Sequence, residues 1–137
     1  MDKSSSSNVL SDIVIQSNHV HDTGTATQCS SNGGYSVWWG KSSPQSNVIG
    51  RDITVTFNIF SDTGGVDSYA LALQHGFIRC DISDNVIYNA PRGVGTGERY
   101  MLLLEGSSAL INSEADMLLF KRNLMYASDQ VRLSFRS

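Results

Sequence analysis

The sequence predicts an all-β fold, a right-handed parallel β-helix (solenoid) of about four coils with three short strands per coil. Three observations carry that expectation. The pattern apolar-x-apolar-x-x-Asn-x-apolar occurs four times, a second apolar series falls between its copies, and a third, shorter apolar element precedes each later copy. Self-similarity of this kind marks an architecture in which one unit cannot bury its apolar face alone and must stack on its neighbours.

The first series occupies residues 13–20, 53–60, 80–87 and 118–125, with asparagine at 18, 58, 85 and 123. The spacings of 40, 27 and 38 show that the strand is kept while the connections vary in length. Its apolar residues alternate with period two, which specifies strands rather than helices. Stacking then predicts interior rows Ile13/Ile53/Cys80/Leu118, Ile15/Val55/Ile82/Phe120 and Val20/Phe60/Ile87/Met125. Asn18, Asn58, Asn85 and Asn123 are expected to form a structural ladder at a bend, because Asn tolerates left-handed backbone and its amide bonds the amides above and below.

The second series covers 35–40, 69–74, 100–105 and 131–136. Its inward rows are expected to be Val37/Leu71/Leu102/Leu133 and Trp39/Leu73/Leu104/Phe135. That leaves Ser36/Ala70/Met101/Arg132 and Trp38/Ala72/Leu103/Ser134 outside. Such an outer face is too apolar to meet only water and reads as a surface for sister chains. The third element is placed at 8–10, 47–49, 76–78 and 109–111, and a single helical turn is conceivable only over 113–119.

The 137 residues are taken as one domain, with 1–7 as a polar lead or cap and 8–136 as coils. A net charge of −3 without a basic cluster argues against nucleic acid. No apolar run approaches the roughly 18 residues that span a bilayer, and the serine-rich start lacks a signal-peptide core, so no membrane role is expected. Cys29 and Cys80 lie 51 residues apart without C-x-x-C or His-rich partners. They are read as thiols rather than a disulfide scaffold or zinc site, and neither metal nor cofactor is expected.

The run 12–24 followed by 35–40 resembles the coils of the pectate-lyase-like right-handed parallel β-helix superfamily, which includes polysaccharide lyases, mannuronan epimerases and bacteriophage tailspike depolymerases. The likeness extends from about residue 8 to 136 and concerns repeat residues, so it bears on fold more than on activity. It implies a polysaccharide-binding or polysaccharide-degrading module, extracellular or virion-associated, and homo-oligomeric, with a trimer as the form tailspikes take. If it is an enzyme, the resemblance points to a polysaccharide lyase or a glycoside hydrolase. The alternative is a non-catalytic assembly module that packs on sister chains through the outer face of the second series. The chain has fewer coils than those enzymes, and the epimerases' Asp-Pro-His-Asp element fails at its proline, so their site is not carried over.

Candidate catalytic residues are Asp81, Asp84, Lys121 and Arg122, the one charged cluster that stacking would assemble. A lyase needs a base and a cation beside a uronate carboxylate, and a hydrolase needs two carboxyls about 5 to 9 Å apart. A solvated, salt-bridged surface explains the same residues. Candidate binding residues are His19 and His21, which alternate and so share a face; Trp38, either a sugar platform or an interface residue; and Arg92 and Arg99 in a glycine-rich loop without the ending of a phosphate-binding motif.

Overall fold

The computed structural model describes residues 8–23, 35–39, 48–64, 68–74, 77–89, 99–105, 118–126 and 133–136. Twelve strands and no helix occur among them. β1 (Asn8–Gln16), β4 (Val48–Thr56), β7 (Phe77–Ser83) and β10 (Leu119–Lys121) form one sheet in that order. β2 (His19–Val20), β5 (Ile59–Ser61), β8 (Val86–Tyr88) and β11 (Leu124–Tyr126) form a second, and β3 (Tyr35–Trp39), β6 (Ser68–Gln74), β9 (Arg99–Glu105) and β12 (Leu133–Arg136) a third. Every pairing is parallel. Each successive trio of strands is therefore a tier, and four tiers lie in the same order in all three sheets. The arrangement is compatible with a parallel β-helix.

The register reproduces the interior rows expected from the repeats. Ile15 pairs with Val55, Val55 with Ile82 and Ile82 with Phe120. Val20, Phe60, Ile87 and Met125 align across the second sheet, and Val37, Leu71, Leu102 and Leu133 across the third. Ile53, Val55, Phe60, Leu71, Ile82, Ile87 and Leu102 are buried, whereas Ile13, Ile15, Val20, Leu118, Phe120 and Met125 are only partly so. Burial thus peaks in the second and third tiers, whose side chains have a neighbour on both sides. Each aliphatic side chain fully buried there contributes about 1.5–3 kcal/mol.

The corners are set by left-handed residues at a regular interval. Asp12, Ser17 and Asp22 have positive φ, as do Asp52, Phe57 and Asp62, then Arg79, Asp84 and Asn89, and Arg122 in the fourth tier. Each step within a tier is five residues. Six of these ten are Asp or Asn, the non-glycine residues that best accept this backbone; Phe57 and both arginines accept it at a cost of about 1–2 kcal/mol each.

Two expectations change here. The short third element is not a separate strand: it runs into the first series to make β1, β4 and β7, bent at Asp12, Asp52 and Arg79. Its register aligns Leu10 with Gly50 and Phe77, so the apolar triplets themselves are offset from one another. The fourth triplet, 109–111, lies outside the described residues, as do 113–117 of the conceivable helical turn.

The asparagines do form a ladder, but the left-handed residue is the one before each of them: Ser17, Phe57, Asp84 and Arg122. Asn58 Nδ2 donates to the Thr56 carbonyl at 3.0 Å, bridging that left-handed residue, and to the Ile15 carbonyl of the tier before at 2.8 Å. Its backbone N–H and Nδ2 both donate to Asn85 Oδ1 at 3.0 Å. Asn85 repeats this towards Asn123, and Asn18 towards Asn58. The amide braces the turn from outside the strained position, which explains why the Asn itself keeps ordinary backbone.

Asn58 and Asn85 are buried and Asn18 is exposed at the edge. Asn85→Ala should cost about 3 kcal/mol, because several buried donors and acceptors lose their partners together. Asn18→Ala should cost about 1 kcal/mol. Urea denaturation of the two variants checks the difference.

Candidate functional site

A left-handed corner residue projects its side chain outward, and parallel stacking places the corner residues of adjacent tiers side by side. Complementary pairs result. Arg79 clasps Asp52 through Nε–Oδ1 and Nη2–Oδ2 contacts of 2.6 Å each, and Arg122 clasps Asp84 in the same way at 2.6 Å. In the third corner row Asn89 donates to Asp62 at 2.6 Å. The planar guanidinium fork matches a carboxylate held at this spacing.

The four candidate catalytic residues do converge. Asp84 is bound by Arg122 and lies in the field of Lys121, while Arg122 also feels Asp81. The Arg122 hydrogen bonds hold the Asp84 carboxyl below the usual carboxylate range, and Asp84 in turn raises Arg122 above its ordinary value. A carboxylate kept ionised by a bidentate partner is a poor proton donor. Asp81, on β7 between Thr54 and Leu119, has a buried Oδ1 without a hydrogen-bond partner. The cluster therefore offers one clasped carboxylate and one free carboxylate oxygen turned from solvent.

His19 and His21 share a face, with ring centroids 4.7 Å apart. His21 Nδ1 lies 2.8 Å from Asp22 Oδ2, and His19 Nε2 lies 3.5 Å from Ser61 Oγ. No group of three His, Cys, Asp or Glu side chains suited to a metal gathers among the described residues. Trp38 stands on β3 opposite Ala72, and Arg99 opens β9 opposite Ser68, but their side chains, like all of Arg92, lie outside the described part of the structure.

The outer face of the third sheet needs correcting. Ala70, Ala72, Met101 and Leu103, expected to await sister chains, are fully buried within the single chain. Tyr69, Ala72 and Leu103 make a second, smaller apolar cluster, and Ala70 and Met101 join the main core. Both faces of β6 and β9 are thus covered. Strands buried on both sides read as continuous apolar runs, and that is how Ala70–Leu73 and Met101–Leu104 read.

Among the described residues, large apolar side chains stay exposed on the first sheet, at Leu10, Val14 and Leu119, and on and beside the second. Alternation turns Phe60, Ile87 and Met125 inward, leaving the row His19/Ile59/Val86/Leu124 and the pair Tyr88/Tyr126, in register with a buried Ser61, on the other side. Ile59, Leu124 and Tyr126 are exposed, and Tyr88 and Tyr126 stack with centroids 5.5 Å apart and rings 11° from parallel. Phe57, 58% exposed, stands at the corner beside Ile59. The signal for this stripe was present in the sequence as the first and third positions after each asparagine. A mixed set of His, Ile, Ser and Tyr does not announce itself until the rows are stacked. No protein-family model, curated protein or solved structure matches this chain.

Two outcomes follow. Because folding holds Asp52 and Asp84 below their unfolded values, their stabilisation is complete above the unfolded carboxylate value of about 3.9 and is lost as pH falls through the folded one. The Asp52→Asn/Asp84→Asn variant should therefore lose less stability than the parent as pH is lowered below that value, measured by thermal melts across acid pH. Burial pushes the Cys80 thiol up to about 12. Cys80 should resist iodoacetamide in the folded protein and react only in denaturant, which peptide mass mapping reads directly.

Proposed function

We propose that this chain is a right-handed parallel β-helix module of the pectate-lyase-like kind that binds polysaccharide along the outer face of its second sheet. The observation that carries the proposal is Phe57. It combines a left-handed backbone, φ 57°, with 58% exposure, so it is strained and leaves an aromatic ring in water. Strain and exposed apolar area at one residue are characteristic of a position serving a ligand. Phe57 is followed along the sheet by Ile59 and the stacked Tyr88–Tyr126 pair, with His19 and His21 at one end.

A flat row of aromatic and aliphatic groups suits the C–H faces of sugar rings, while the neighbouring imidazoles can bond hydroxyls. Lys121 borders the same corner row, in which Arg122 is already paired with Asp84. The clasp on Asp84 supports binding over cleavage.

The test is a panel of acidic and neutral bacterial polysaccharides assayed by affinity electrophoresis, with reducing ends and unsaturated-uronate absorbance followed in parallel. Phe57→Asn should weaken binding by about tenfold, roughly 1.4 kcal/mol, while raising stability by about 1 kcal/mol through relief of the left-handed strain. Silence across the panel, or a Phe57→Asn variant that binds as well as the parent, defeats the proposal. Release of new ends would turn the reading from binding to cleavage.

A further inference from the structure

The seams between tiers have a direction. Across each one, the N–H and Nδ2 of an asparagine donate to Oδ1 of the next asparagine. The residue before each asparagine donates from its N–H to a carbonyl of the following tier, as in Ser17 to Thr56, Phe57 to Ser83 and Asp84 to Lys121. In return, the residue after the next asparagine donates back: Ile59 to Asn18, Val86 to Asn58 and Leu124 to Asn85, each at 2.8 Å. The same set of bonds is made three times.

The two outer tiers hold complementary halves of a fourth set. Among the described residues, nothing donates to Asn18 Oδ1 in the first tier, and nothing accepts from the N–H groups of Arg122 and Asn123 in the fourth. The apolar rows end the same way, with Ile13, Ile15 and Val20 half-buried at one rim and Leu118, Phe120 and Met125 at the other.

We infer that a second copy of this chain stacks head to tail, its first tier on the fourth tier of its neighbour, continuing the asparagine ladder from Asn123 to Asn18. A symmetric contact would set the Asn123 amide donors against each other, or the Asn18 Oδ1 acceptors against each other. The head-to-tail contact matches donor to acceptor and apolar row to apolar row, and it does not close on itself. Open parallel edges of this kind are templates for further strands.

Val14 and Leu119 provide the test. They end the outward row Val14/Thr54/Asp81/Leu119, are 63% and 46% exposed, and lie in the two outer strands of one sheet. Within a chain two strands separate them; across a head-to-tail seam they become neighbours. Sedimentation equilibrium of the full chain should show a weight-average mass that climbs with concentration without a plateau. Val14→Glu/Leu119→Glu should hold the chain at monomer mass, and Val14→Glu/Leu119→Lys should restore the climb. Both sites are exposed, so an unchanged far-ultraviolet circular dichroism spectrum is expected. A parent protein that stays monomeric, a plateau at a closed dimer or trimer, or a Glu/Glu variant that associates like the parent overturns the inference.

Discussion

A strand that turns a corner must dispose of N–H and C=O groups that no longer face a partner, and in this chain four asparagines do that work. Asn18, Asn58 and Asn123 reach back over the left-handed residue to the carbonyl two positions earlier, and Asn58, Asn85 and Asn123 receive bonds from the tier before on their own Oδ1. The corner is thereby tied within its tier and between tiers by one amide. Everything outside it inherits that registration. The interior rows superpose because the corners superpose, and the clasped pairs Arg79–Asp52 and Arg122–Asp84 exist because adjacent corners present side chains in line.

What was legible in the sequence was whatever repeats in kind. The asparagines, Ile15/Val55/Ile82/Phe120 and the four runs of the second series were recognisable because a stacked core asks for the same chemistry at the same place in each tier. The left-handed positions were not, since Ser17, Phe57, Asp84 and Arg122 share a backbone conformation and no chemistry. Their nature came from the neighbour: the Asn supplies the bonds, and the preceding residue need only tolerate the turn.

The outer face of the third sheet was misjudged for a physical reason. Ala70, Ala72, Met101 and Leu103 looked like an exposed apolar face because period-two alternation assigns one side of a strand to solvent. That rule fails for strands covered on both sides. Tyr88 and Tyr126 come side by side only through stacking, so their pairing is visible in the structure and not in the order of residues. The charged cluster was placed together correctly, but sequence alone did not show that Arg122 would close both carboxylate oxygens of Asp84 in a fork.

The five-residue interval between left-handed residues works as a ruler laid along part of each tier. From 12 to 22, 52 to 62 and 79 to 89 the chain keeps an identical metric, while the distance from one asparagine to the next changes from 40 to 27 to 38 residues. All of that variation falls on the stretches outside the ruler. The molecule is thus divided into segments whose length is fixed by geometry and segments whose length is free. Connections can be lengthened, shortened or exchanged in sequence while the measured segments hold the stack in register, so change in one class of segment leaves the other untouched.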